Sequence, residues 1–133
     1  KVEDLSSYTI AGAKIEFHAV QHTIPCYAIK VTYRGKTFVY SADTSYLDSL
    51  VGFAKDADLF FCEATICEGS THTTGKGHMD AKDAATIAKK ANVNTLILTH
   101  LPSDADFEQM KEEAKSIFGK EVYLASEKST YIL

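Results

Sequence analysis

The stretch Gly35-Lys36-Thr37-Phe38-Val39-Tyr40-Ser41-Ala42-Asp43-Thr44-Ser45, GKTFVYSADTS, reads as a strand that runs from a polar turn straight into a carboxylate. Thr37 to Tyr40 are β-branched or aromatic, the side chains that fit a pleated, half-buried surface. After the carboxylate the period changes. Tyr46, Leu47, Leu50, Val51 and Ala54 recur at three- and four-residue spacing, which predicts a helix over SYLDSLVGFAKDA with one apolar stripe. A strand that hands over to a helix at a charged residue is a unit of layered sheet folds, and the rest of the chain repeats it.

Upstream, AKIEFHAVQH, CYAIKVTYR and TFVYSA predict consecutive antiparallel strands, with Arg34-Gly35-Lys36 as a tight turn. Downstream, DLFFCEAT predicts a short buried strand, and ICEGSTHTTGKG a loop of functional length. Asp80 is placed to cap a helix whose Ala84, Ile87, Ala88 and Ala91 make a narrow face suited to close packing on a sheet. TLILTHL is an apolar strand ending in His100. Ser103-x-x-Asp106 resembles a capping box ahead of Phe107, Met110, Ala114, Ile117 and Phe118, with Gly119 closing that helix, and EVYLAS and STYIL read as final strands. The implied fold class is α/β (α+β), a mixed sheet covered by helices, without internal repeats or low-complexity segments.

The 133 residues fit one domain, and a hydrophobic share of 45% with 24% charged is an ordinary globular balance. A net charge of -4 gives no broad basic surface for nonspecific attraction to nucleic acid. Cys26, Cys62 and Cys67 form no Cys-x-x-Cys pair, so reduced thiols and a cytoplasmic location are the default reading. No run long and apolar enough to span a membrane exists, and KVEDLSSYTI lacks the regions of a signal peptide. The chain begins with Lys1 rather than Met, already close to strand-like sequence, as a piece of a longer protein would.

Three strand ends carry chemistry: Asp43 after FVYSA, Glu63 after LFFC and His100 after LILT. Strand ends that open into loops hold side chains rigidly and leave room for substrate. Each has a plainer reading. Asp43 beside Thr44-Ser45 suits a helix cap, His100 a core histidine, Glu63 a solvated loop carboxylate, and His78 a neighbour of the Asp80 cap. Carboxylate and imidazole together are, however, the ligands of zinc, manganese or iron. His18 alternates with Phe17 and reads as an exposed strand residue, while His72 lies in the Gly-rich loop, within reach of substrate.

SADTS resembles the SGDT segment of the metallo-β-lactamase superfamily, and GHMDAKDAATIAKKANVNTLILTHL resembles the segment leading to its last metal-binding histidine. HTIPCYAI from His22, Asp43, and Glu63-Ala64-Thr65 are similar to the branch containing tRNA 3′-processing endonuclease Z. The resemblance spans about residues 16–102. It implies one half of an αββα sandwich whose metals sit along one edge. It also implies that His22 binds the first metal, Asp43 bridges two, His100 binds the second, and Glu63 and His78 shuttle a proton to the leaving group. The implied cofactor is zinc, two ions per complete protein, with manganese or iron as alternatives. Such ions ready a water molecule to attack phosphorus or a carbonyl carbon.

The chain departs from the family in lacking the upstream His-x-His-x-Asp-His motif, which leaves each metal short of protein ligands. The expectation is therefore a single domain, residues 1–133, forming the C-terminal half of a longer protein and inactive without its N-terminal half. A lone half exposes its inner sheet face, which predicts a homodimer. Residues 23–42 hold only two strands and a turn, so the tRNA-clamping arm of bacterial relatives has no place there. LPSDAD after His100 also lacks those enzymes' Ser-x-Arg-Tyr run. Dedicated tRNA processing is not expected; the substrate is instead a small molecule or phosphodiester, the leading function being a metal-dependent hydrolase of phosphodiesters, esters or lactones. The alternatives are a catalytically silent metal-binding or interaction module of the same fold, and a diiron redox member.

Overall fold

The computed structural model describes residues 6–67 and 77–132. Seven strands form one sheet in chain order: β1 (Ser7–Ile10), β2 (Ala13–Val20), β3 (Cys26–Tyr33), β4 (Lys36–Tyr40), β5 (Leu59–Glu63), β6 (Thr95–Thr99) and β7 (Val122–Leu124). The first four pair antiparallel, and β4 through β7 pair parallel, so the sheet is mixed. Connection chemistry explains the division. Arg34 and Gly35 turn with positive φ at both positions, as a tight hairpin needs, whereas parallel neighbours need a crossover. Helices α1 (Asp48–Phe53), α2 (Ala81–Lys90) and α3 (Phe107–Phe118) occupy the connections from β4 onward.

Alternation along the strands decides which face is covered. Val39, Phe60, Cys62, Leu96, Leu98 and Val122 are buried with Leu50 of α1, Ala84, Ile87 and Ala88 of α2, and Met110 and Ala114 of α3. The alanines of α2 let that helix approach closely. On the other face, Ile15, Val31 and Phe38 follow one another across β2, β3 and β4, and Phe17, Ile29, Tyr40, Phe61 and Ile97 make a second row. Among the described residues no helix covers this face. The C-terminal segment crosses it, where Tyr131 meets Phe61 edge-on at 5.2 Å and donates its hydroxyl to the Leu124 carbonyl.

Three predicted elements differ. The first helix is Asp48–Phe53 rather than the whole of 45–57, and its N-cap, Leu47, makes no side-chain cap bond. The residues just before it are diverted elsewhere: Thr44 Oγ1 accepts from Gln21 N–H, and Ser45 Oγ accepts from Gly77 N–H. Asp106 is itself the cap of α3, accepting from Gln109 N–H, so Ser103-x-x-Asp106 is not a capping box. The segment STYIL forms no strand over 129–132, because Tyr131 is held by ring packing and a hydroxyl bond instead of a ladder. The Asp80 cap on α2 and Gly119 closing α3 are present as read. Among the described residues no helix is long and apolar enough to cross a membrane.

Candidate metal centre

The parallel strands β4, β5 and β6 deliver Asp43, Glu63 and His100 to the same edge of the sheet. Two residues there leave their strands in a left-handed conformation: Ala42 and His100 both have φ 54. Non-glycine residues rarely adopt this region, and such strain gathers at functional sites. Ala42 occupies the position where the resembling SGDT segment carries glycine.

Asp43 Oδ1 lies 2.9 Å from His100 Nδ1, and both side chains are partly open to solvent. Donor atoms of Asp43, His78 and His100 all fall within 4.8 Å of one another. His22 stands beside this trio, its ring 4.9 Å from that of His78, which is in turn 5.4 Å from that of His100. The three imidazoles thus form a row. Two imidazoles and a carboxylate at this spacing suit zinc and its neighbours, whose ligand atoms lie about 2.0–2.2 Å from the ion. Two of the imidazoles are also gripped on Nδ1 by groups outside the trio: His22 by the Gly77 carbonyl at 2.9 Å and His78 by Glu63 at 2.9 Å. Metal-binding histidines are commonly held this way on the ring nitrogen that faces away from the ion. The residues present fit a metal.

Glu63 is wholly buried, not a solvated loop carboxylate. Its Oε1 accepts from Thr44 N–H at 2.8 Å and pairs with His78 Nδ1 at 2.9 Å; its Oε2 accepts from Thr65 N–H at 3.1 Å and Met79 N–H at 3.4 Å. One carboxylate therefore fastens the exits of β4 and β5 to the segment that carries His78. Burial raises the pKa of the neighbouring Tyr40 phenol, with the charges of Asp43, Cys26 and Glu63 adding to the effect. Burial likewise pushes up the Cys62 thiol, whose sulfur touches Met79 in the core.

Asp43 does not cap α1, since the cap is Leu47, and His100 is exposed rather than a core histidine. His18 departs from its reading as an exposed strand residue. It is half-buried on the helix-covered face, Nε2 2.9 Å from Ser49 Oγ and its ring stacked on Phe53 at 5.2 Å. His72 lies outside the described residues. Ser45, Thr44 and Gly77 are site residues that sequence reasoning passed over; the one available signal was a glycine directly ahead of His78.

The family description "Beta-lactamase superfamily domain" matches residues 2–101. "Probable metallo-hydrolase YhfI" of Bacillus subtilis is 40% identical over 111 residues, which cover 84% of this chain and 45% of that protein. Ribonuclease Z of Haloarcula marismortui is 34% identical over 96 residues, 70% of this chain and 31% of that protein. The crystal structure of YhfI superposes with a TM-score of 0.86 at 35% identity, over 93% of this chain and 51% of that one. The short form of human tRNase Z does so at 0.67 and 25% identity, over 89% and 41%. The chain thus spans between 31% and 51% of the length of these relatives. With this fold, and with imidazoles and a carboxylate gathered where its parallel strands end, the chain belongs to the metallo-hydrolase-rich β-lactamase superfamily.

Proposed function

We propose that this chain is the C-terminal half of a metal-dependent hydrolase, acting on a phosphodiester, ester or lactone with zinc as its metal, and working inside the cytoplasm. The observation that carries this reading is the convergence of Asp43, His78 and His100 donor atoms within 4.8 Å. His22, Asp43 and His100 are the residues that would hold metal. When bound, a pair of divalent ions there supplies Lewis-acid activation of water and of the scissile centre. His78 is the group that would hand a proton from Nε2 to the departing oxygen, its Nδ1 held by Glu63 at 2.9 Å. Glu63 keeps the ring aimed; its complete burial suits a fixed anchor.

The coverage of relatives supports a missing half that brings further ligands. Residues 23–42 form β3, β4 and their turn, which leaves no room for an inserted tRNA clamp and favours a small substrate over dedicated tRNA processing.

Elemental analysis after dialysis against trace zinc tests the assignment, together with hydrolysis of bis(p-nitrophenyl) phosphate by the complete protein. Asp43→Ala is expected to abolish both metal retention and turnover, and His18→Ala to leave metal content unchanged. Equal retention in the two variants overturns the residue assignment. A second reading is favoured by the same trio: His78 as a metal ligand in place of a proton donor.

A further inference from the structure

We propose that Gly77 and Ser45 are positioning residues that fix the tautomer and heading of His22, an inference that rests on the metal-site reading above. The Gly77 carbonyl can only accept a hydrogen bond. The 2.9 Å contact with His22 Nδ1 therefore places the proton on Nδ1, and in the neutral ring the lone pair available for a metal is on Nε2. The carbonyl is itself held. Gly77 N–H donates to Ser45 Oγ at 2.9 Å, and Ser45 N–H donates to the Gln21 carbonyl at 2.9 Å, one residue from His22. The loop runs from Gln21 through Ser45 and Gly77 back to His22, and Ser45 and Gly77 are both buried.

No other residue fits at position 77. Gly77 has φ +92, and a Cβ built there would lie 2.6 Å from His22 Nδ1 and 3.3 Å from His22 Cα. A side chain would have to displace either the ring or the backbone that carries it. The relay also couples the two proposed roles of the site, because the residue that aims His22 immediately precedes His78.

The test uses 15N-histidine-labelled protein without metal, read by two-bond 1H–15N correlation, and zinc titration measured calorimetrically. Wild type is expected to show His22 protonated on Nδ1. Ser45→Ala is expected to mix the two tautomers and to weaken zinc binding by about 10- to 100-fold while far-ultraviolet dichroism is unchanged. Gly77→Ala is expected to do so more severely, and Ser45→Ala keeps the test open if that variant misfolds. His22 protonated on Nε2 in wild type, or a tautomer ratio and zinc affinity unaltered in Ser45→Ala, overturns the relay. Zinc affinity unchanged in His22→Ala brings down the metal assignment instead, and the tautomer measurement then stands on its own.

Discussion

At Glu63 a single carboxylate receives three backbone N–H groups and one imidazole without contact with solvent. Glu63→Gln replaces one acceptor oxygen with an NH2 group that must face a donor, so it is expected to destabilise the fold by about 1–3 kcal/mol, measured by urea denaturation. Its effect on turnover would then mix catalysis with folding. His78→Ala is the cleaner substitution, because it leaves the three backbone N–H donors to Glu63 in place. As a proton donor, His78 predicts metal content near wild type and turnover slowed by about a hundredfold or more. Metal loss in that variant makes His78 a ligand instead. Asp43, Glu63 and His100 were legible from the sequence because each ends an apolar strand, a pattern readable in one dimension. Ser45 and Gly77 were not, since their partners are backbone groups brought close only by the fold.

Among the elements, α2 and α3 were legible because an amphipathic period survives whatever the neighbours do. The first helix was not fully legible: its apolar spacing continues upstream through Tyr46, but Thr44 and Ser45 are drawn into the site and the helix starts only at Asp48. β5 has an anchor of another kind. Asp58 accepts from Thr37 N–H at 2.9 Å and from Lys36 at 3.0 Å, tying the start of β5 to the start of β4. The Thr37 backbone bond, followed by Lys36, holds its carboxyl below the usual carboxylate range. A group depressed in the folded state contributes fully above its unfolded pKa, about 4, and that contribution is lost as pH falls through the lower folded-state value. Asp58→Asn is accordingly expected to lower stability at neutral pH and to flatten the acid limb. Urea midpoints at about pH 7 and about pH 3 check this, and an acid limb as steep as wild type would discount Asp58.

For the molecule as a whole, the sheet has one face packed by helices and one on which, among the described residues, Ile15, Phe17, Ile29, Val31, Phe38 and Phe61 lie under little more than Tyr131. We propose that the absent half covers this face in the complete protein, and that a second copy does so for this chain alone. Analytical ultracentrifugation should find a dimer, and Val31→Lys should shift it toward monomer; a soluble wild-type monomer would count against this. The strand order has a different consequence, in time instead of space. Because β1 through β7 pair in the order in which they leave the ribosome, each strand finds its partner already present, and only the crossovers between the parallel strands must close before they pair. The exception is chemical. Asp43 waits for His100, and His22 for Gly77, so the scaffold assembles progressively while the edge that gathers the imidazoles is completed only by late-arriving residues.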